Sequence, residues 1–189
     1  MLDNVMCDIE TIGNESNSAL LSISAVQFDL NTGEIGDKFH VDIDVQSCFD
    51  VGLKASGSTI YWWLQQSKEA RDLIVNADDK YNLHEALIKF NHWLKDLNHK
   101  VDITEYKLWG NSARFDLGII RDAIIATNTH KYLDWWSFWN ERDTRTLVSF
   151  APDIKKNWIR VGVDHNGIDD CLNQIGYCCE IWKTLNTNK

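Results

Sequence analysis

Hydrophobic and polar positions along the first third of the chain predict three strands. Residues 5–10 form a short apolar run interrupted by two acids, and residues 20–30 are rich in Leu, Ile, Val and Phe. The Asn-Thr-Gly sequence at 31–33 is typical of a hairpin turn, and apolar and polar residues alternate over 34–45. We therefore expect an N-terminal antiparallel meander.

The middle and the end of the chain change to a helical period. Apolar residues recur every three or four positions across residues 82–97, at Leu83, Leu87, Phe90, Leu94 and Leu97. Further helices are predicted at 60–75 in shorter pieces, 115–126, 145–150 before Pro152, and 167–185, with a brief strand at 106–110. Strands followed by helices that alternate with short strands predict an α/β domain with a mixed sheet. Without a repeat or a long linker, residues 1–189 are expected to form a single domain.

The composition narrows the class of protein. With 44% hydrophobic and 25% charged residues, it is that of a soluble globular chain. No apolar run reaches the roughly 20 residues of a membrane span, and the N-terminus does not resemble a signal peptide, so no membrane partner is expected. Five cysteines without a Cys-x-x-Cys spacing argue against disulfides and a zinc site, and favour the reduced cytoplasm. The net charge of −9 disfavours a passive nucleic-acid coat, but not an enzyme whose carboxylates bind divalent cations.

Two groups of acids stand where predicted strands and helices meet. Asp8 and Glu10 are two residues apart, so they share one face of the first strand, where a cation would compensate their charge. Asp116 follows a Gly-Asn turn and lies in the first turn of a predicted helix. Taken singly, each group has an ordinary explanation. Asp8 and Glu10 would simply lie at a solvent-facing strand end, and Asp116 would interact favourably with the helix dipole.

A third group stands at the start of the last predicted helix. His165 and Asp170 are five residues apart, and Asp169 is adjacent to Asp170. A capping cluster is the simple alternative, with Asp164 or Asn166 as the cap.

Taken together and in this order, the three groups resemble the motifs of the DEDDh family of 3′–5′ exonucleases. They extend from residue 8 to residue 170, which is nearly the whole chain. The sequences at 109–111, 115–116, 142–147 and 165–170 are similar to the phage-type exonuclease A branch, which is related to the bacterial polyadenylate-degrading exoribonuclease. The resemblance implies a ribonuclease-H-like fold, with a mixed sheet and helices on both faces.

The resemblance also implies a role for each of five residues. Asp8 would bridge two divalent ions, Mg²⁺ or Mn²⁺, while Glu10 and Asp170 would complete the ligands of the ion that holds the attacking water. Asp116 would serve the second ion, and His165 would be the general base. The chemistry is consistent with these roles, because two ions about 4 Å apart stabilise the attacking and leaving oxygens of a phosphodiester. The ordinary pKa of histidine, near 6.5, suits a base.

The family spacing also separates the neighbouring acids. It selects Asp170 as the ligand, so Asp169 is expected to be solvent-exposed. Asp164 is expected to be a loop or cap residue, and orientation of the His165 imidazole is its alternative role.

Five residues near the motifs are candidates for substrate contact: Thr11, Ile12, Trp63, Asn111 and Arg114. Thr11 and Ile12 follow the first motif, where the terminal nucleotide sits in similar enzymes. Trp62 or Trp63 would stack on the terminal base, although tryptophan more often packs in a core. Arg114 is either a phosphate contact or a carboxylate partner.

Basic residues between 142 and 160, including Lys155 and Lys156, either guide the substrate strand or form a solvated face. Asp143 is the best candidate for the cap of the helix predicted there.

We predict a metal-dependent 3′–5′ exonuclease that acts on the free 3′ end of single-stranded DNA or RNA and releases nucleoside 5′-monophosphates. The first alternative is an inactive DEDDh-like module that binds nucleic acid or a polymerase, but such a module is expected to have lost a site residue, and all five are present. The second is a structural protein whose acids are only caps. The choice between DNA and RNA stays open, as does a homodimer, which is common among similar enzymes.

Overall fold

A six-stranded mixed sheet forms the centre of the computed structural model, which describes residues 1–76, 79–97 and 102–187. Its strands are β1 (Asn4–Thr11), β2 (Leu20–Phe28), β3 (Ile35–Ile43), β4 (Lys80–Tyr81), β5 (Lys107–Gly110) and β6 (Glu141–Asp143), in the order β4-β3-β2-β1-β5-β6. The first three strands are antiparallel neighbours, which confirms the predicted meander. The pairs β3·β4, β1·β5 and β5·β6 are parallel, so the sheet is mixed as predicted.

Eight α-helices accompany the sheet in the described residues: α1 (Val45–Asp50), α2 (Gly57–Leu64), α3 (Lys68–Val75), α4 (Leu83–Asp96), α5 (Asp116–Ala126), α6 (Thr144–Val148), α7 (Pro152–Lys156) and α8 (Gly167–Thr187). Five of them begin at a side chain that accepts a backbone N–H from the first turn, namely Asp44, Ser56, Ser67, Asn82 and Asp143. The prediction of Asp143 as a cap is therefore confirmed. None of the helices in the described ranges is long and apolar enough to cross a membrane.

The alternation of side chains along β1 divides the interior into two cores. Val5, Cys7 and Ile9 point into one core, which they share with apolar residues of α4 and α5. Met6 points to the opposite face, into a second core with residues of α8. Helices therefore cover both faces of the sheet, as predicted. Asp8 continues the Met6 side of the strand, toward α8.

The structure corrects the sequence prediction at several short elements. The helix predicted over 145–150 is Thr144–Val148, and Pro152, expected as its stop, instead begins α7, where a missing N–H is harmless. The sequence also missed α1, β4 and β6. These elements have two to six residues, too few for a hydrophobic period to register. β6 forms because the edge of β5 supplies its hydrogen-bonding partner.

Candidate active site

One cavity brings together the five residues that the motifs single out. Asp8, Glu10, Asp116, His165 and Asp170 all line a space of about 410 Å³, which we call the central cavity. They come from β1, α5, the turn before α8 and α8 itself, so they meet only in the folded chain. Their roles stay a prediction, but the structure does place them side by side.

Asp116 is buried at the start of α5 and held by the turn that follows β5. The Ser112 N–H donates to Asp116 Oδ2 at 3.0 Å. Gly110 permits this arrangement, because a Cβ there would lie 2.9 Å from both the Cβ and the Oδ2 of Asp116. Burial raises the pKa of Asp116 to about 7, although the backbone N–H of Ser112 acts in the opposite direction.

The other carboxyl groups in the cavity also have raised pKa values. Burial, followed by the charges of Asp116, Glu10 and Asp170, raises the pKa of Asp8 well above its ordinary value. Burial also raises the pKa values of Glu10 and Asp170. Within the described ranges, no lysine or arginine lies at ion-pair distance from Asp8, Glu10 or Asp116. Three carboxylates are therefore gathered without a lysine or arginine at ion-pair distance.

This donor set fits divalent cations. Hard carboxylate oxygens are the ligands that Mg²⁺ and Mn²⁺ prefer. Glu10, His165 and Asp170 carry potential ligand atoms within 4.8 Å of one another, and Asp8 and Asp116 lie in the same cavity. A cation would compensate for the burial, and at Asp8 also the like-charge repulsion, that raises the pKa values of the acids.

His165 is held at the edge of the cavity by a strained backbone and by two indole rings. Its φ is +64°, in the left-handed region that is uncommon for residues other than glycine. The rings of Trp62 and Trp63 meet the imidazole edge-to-face, with centroids 5.0 and 5.5 Å away. Nδ1 lies 3.6 Å from Glu10 Oε1, beyond hydrogen-bonding distance but close enough for charge attraction. The nearby Glu10 carboxylate raises the pKa of His165.

Asp170 and Asp169 have separate tasks. Asp170 lines the central cavity and pairs with Arg160. Asp169, expected to be solvent-exposed, is instead partly buried and accepts the Val163 N–H at 2.9 Å. It thus fixes the loop that leads to His165.

The turn before α8 also separates the predicted cap residues. Asn166 Oδ1 accepts the Asp169 N–H at 3.2 Å. Asp164 is 75% exposed and pairs with Arg160, so it is a loop residue and does not orient the imidazole.

Three predicted substrate contacts support the wall of the site more than they face it. Trp63 is 8% exposed, and its Nε1 donates to the Thr11 carbonyl oxygen at 2.8 Å. Thr11 lines an adjoining cavity of about 400 Å³, but its hydroxyl donates to the Gly13 carbonyl oxygen at 2.6 Å. Ile12 packs with Trp63 in an apolar groove away from the acids. The indole that lines the central cavity is Trp62, which is 42% exposed. Successive helical residues point about 100° apart, which explains the difference.

The remaining predicted contacts lie along the cavities. Asn111 lines the central cavity, and its Oδ1 is buried without a hydrogen-bond partner among the described residues. Arg114 is exposed and lines a third cavity of about 330 Å³ together with Arg145. Its predicted role as a carboxylate partner is wrong for the described part of the chain, where it forms no ion pair. The three cavities adjoin one another at Phe115.

The basic segment between 142 and 160 does not form one face. Arg145 lines the central cavity, whereas Lys155 and Lys156 lie outside the three cavities. Sequence reasoning named Arg145 only as one of the basic residues of this segment, and it missed Gln174 as a cavity residue. The available signal for Gln174 was its position one helical turn after Asp170.

Comparison with known proteins agrees with this arrangement. Residues 3–182 match a family model described as the 3′-5′ exoribonuclease Rv2179c-like domain. The chain is also 28% identical over 196 residues to an exodeoxyribonuclease of Enterobacteria phage T4, across 89% of this chain and 84% of that protein.

Solved structures share the fold. E. coli exonuclease I in complex with a dA16 oligonucleotide has a TM-score of 0.60 and 12% identity, across 98% of this chain and 41% of that one. The nuclease domain of 3′hExo, a DEDDh family member bound to rAMP, has a TM-score of 0.56 and 16% identity, across 96% and 92%. These similarities confirm the predicted ribonuclease-H-like fold.

Proposed function

Because this chain belongs to the 3′-5′ exoribonuclease Rv2179c-like family and is a 3′–5′ exonuclease of the DEDDh type, we propose that it shortens single-stranded nucleic acid from a free 3′ end with two divalent ions and a histidine base. The products would be nucleoside 5′-monophosphates. The observation that carries the proposal is the convergence of Asp8, Glu10, Asp116, His165 and Asp170 on the central cavity.

The carboxylates would hold Mg²⁺ or Mn²⁺. Asp8 would contact both ions, Glu10 and Asp170 would complete one site, and Asp116 would complete the other. When bound, such ions stabilise charge on phosphodiester oxygens and make water a better nucleophile. The protein supplies the positions: β1 holds two of the acids, and the first turns of α5 and α8 hold the others.

His165 would remove the proton from the attacking water. The Glu10 carboxylate lies 3.6 Å from Nδ1 and stabilises the protonated imidazole after transfer. The rings of Trp62 and Trp63 both pack edge-to-face against the imidazole and limit its movement. A base placed in this way typically contributes on the order of 10²–10⁴ in rate.

The adjoining cavities would hold the end of the strand. Trp62 offers a partly exposed indole beside the acids, and stacking of one base on an aromatic ring is worth roughly 1–3 kcal/mol. Arg114 and Arg145 line the neighbouring cavity, where phosphates would pass. The oligonucleotide bound by E. coli exonuclease I and the rAMP bound by 3′hExo are consistent with a nucleic-acid end as the ligand.

The proposal extends to the context of the enzyme. Residues 1–189 would act as one exonuclease domain in the cytoplasm, with single-stranded nucleic acid as the partner. The family is described as an exoribonuclease domain and the phage relative is an exodeoxyribonuclease, so both RNA and DNA substrates should be tested. Size-exclusion chromatography with light scattering tests the homodimer.

The experiment is hydrolysis of matched 5′-labelled RNA and DNA oligonucleotides with Mg²⁺, Mn²⁺ or EDTA. We expect a ladder that shortens from the 3′ end, release of 5′-monophosphates, and no reaction in EDTA. Asp170→Asn should abolish the reaction, whereas Asp153→Asn, a matched control in the first turn of α7 that is exposed and lies outside the central cavity, should retain most of it. Turnover that persists in EDTA, or equal effects of the two substitutions, would contradict the proposed centre.

A further inference from the structure

Gln174 lies in the wall of the central cavity, although no motif includes it. It follows Asp170 by one turn of α8, so both side chains lie on the same face of the helix. Gln174 is 6% exposed and lines the central cavity together with Asp8 and Asp170.

The amide group of Gln174 contacts one of the proposed metal ligands. Its Nε2 donates to Asp8 Oδ1 at 3.0 Å, which joins α8 to β1 across 166 residues of sequence. The other oxygen, Asp8 Oδ2, faces the first turn of α8, where a Cβ on Gly167 would lie 3.5 Å away. The hydrogen bond engages Oδ1 and thereby sets the plane of the Asp8 carboxylate.

The carbonyl oxygen of the same amide lacks a partner. Gln174 Oε1 is buried and accepts no hydrogen bond from the described residues. A buried acceptor without a donor destabilises a fold, and an apolar side chain of similar length would avoid that loss. Divalent ions bring donors with them, because Mg²⁺ in proteins usually keeps several of its water molecules.

We infer that Gln174 is a positioning residue for the proposed metal centre: Nε2 orients the Asp8 carboxylate for the cation, and Oε1 accepts a hydrogen bond from the cation's hydration water. This inference rests on the function proposed above. It assigns to α8 a second contribution to the site, in addition to the charge of Asp170.

The test is Mn²⁺ affinity of the full chain without nucleic acid, measured by calorimetry. Gln174→Met keeps the length of the side chain but removes donor and acceptor, and we expect the dissociation constant to rise about 10–100-fold, as is typical when a group supporting a metal ligand is lost. Gln27→Met is the matched control. Gln27 is also a buried glutamine, 3% exposed, but it lies on β2 and its Nε2 donates to the Leu2 carbonyl oxygen.

A purely structural role gives a different result. In that case Gln174→Met would lower the melting temperature in EDTA, as Gln27→Met should, and leave Mn²⁺ affinity unchanged, which would overturn the inference. If Gln174→Met does not fold, the shorter Gln174→Asn is measured under the same criterion. A parent chain that binds no Mn²⁺ would overturn the proposed metal centre itself, and this inference with it.

Discussion

Asp29 and Asp116 are both buried aspartates beside the sheet, 2% and 4% exposed, yet their carboxyl groups have opposite electrostatic surroundings. Asp29 pairs with the Met1 amino group and accepts N–H groups from Asn31 and Thr32 at 2.8 and 2.9 Å, and these contacts lower its pKa to about 2. Asp116 has no cationic group at ion-pair distance among the described residues, and burial raises its pKa to about 7 although backbone N–H groups act in the opposite direction.

The difference separates a structural acid from one that is proposed to hold a metal ion. A fold that only needed a buried carboxylate would pair it with a cationic group and N–H donors, as it does for Asp29. Around Asp116, the chain instead places Asp8 nearby and leaves the negative charge in excess. An arrangement of carboxylates that destabilises the metal-free fold is therefore found where a cation is expected to bind.

The largest effect should come from removing a shared ligand. Asp8→Asn keeps the shape of the side chain but loses the charge, and loss of the several kcal/mol that a metal ion contributes corresponds to about 10³-fold slower turnover. Asp29→Asn, the matched control, should keep turnover within a few-fold of the parent because it lies outside the cavity. Initial rates of monophosphate release measure both. Near-parental turnover in Asp8→Asn would place this acid with Asp29 in the structural class.

Substitution of the proposed base should have the next largest effect. His165→Asn suits the left-handed backbone and should slow turnover by on the order of 10²-fold, with unchanged Mn²⁺ affinity and melting temperature.

The pH profile sharpens this second prediction. The base acts when it is deprotonated, so parental turnover should rise with pH through the titration of the imidazole, whose pKa Glu10 raises in the metal-free chain, and then level off. Persistence of that rise in His165→Asn would assign the titration to another group.

Substitution of Asp116 and of Asp29 by asparagine should change the free energy of unfolding of the metal-free chain in opposite directions. The raised pKa of Asp116 means that the folded state binds its proton more tightly than the unfolded state does, so its contribution falls as pH rises from about 4 to 7. In EDTA at pH 8, Asp116→Asn should therefore raise the free energy of unfolding by a few kcal/mol, since one pKa unit corresponds to about 1.4 kcal/mol. At pH 4 the difference should vanish.

Asp29 is the matched comparison for this measurement. Its lowered pKa gives stability that is present above about pH 4 and is lost as pH falls toward 2, so Asp29→Asn should destabilise the chain at pH 8. Urea titrations at both pH values measure the pair. Destabilisation by both substitutions at pH 8 would mean that Asp116 is already compensated without metal.

The smallest effect should come from basic side chains, which we compare inside and outside the cavities. Arg114→Gln removes a side chain that lines the third cavity and should reduce the slope of log affinity against log salt by about 0.7 for single-stranded substrate. Lys156→Gln is the control, because Lys156 lies outside the three cavities. Binding titrations at several salt concentrations measure the slopes, and an unchanged slope in Arg114→Gln would make this arginine part of the solvated surface.

The amino-acid sequence was sufficient for the features that depend on local order. The apolar runs and the alternation of apolar and polar residues predicted the meander, and apolar residues at every third or fourth position predicted α4 and α8. The structure contains the meander and both helices. The spacing of Asp8 and Glu10 placed them on one face of the first strand, because backbone geometry fixes which neighbours share a face, and the turn signal placed Asp116 at the start of a helix. Membership of the nuclease family could be predicted from the same motifs.

Tertiary structure alone decided which side chains face the cavity and which support it. Trp62 and Trp63 are adjacent residues of the same type. Trp63 donates a hydrogen bond to the Thr11 carbonyl oxygen, whereas Trp62 lines the cavity. Asp169 is satisfied by the Val163 N–H, and Gln174 reaches Asp8 from the far end of the chain. Hydrogen-bond partners, burial and pKa values depend on atoms brought together by folding, and sequence separation carries no information about those distances.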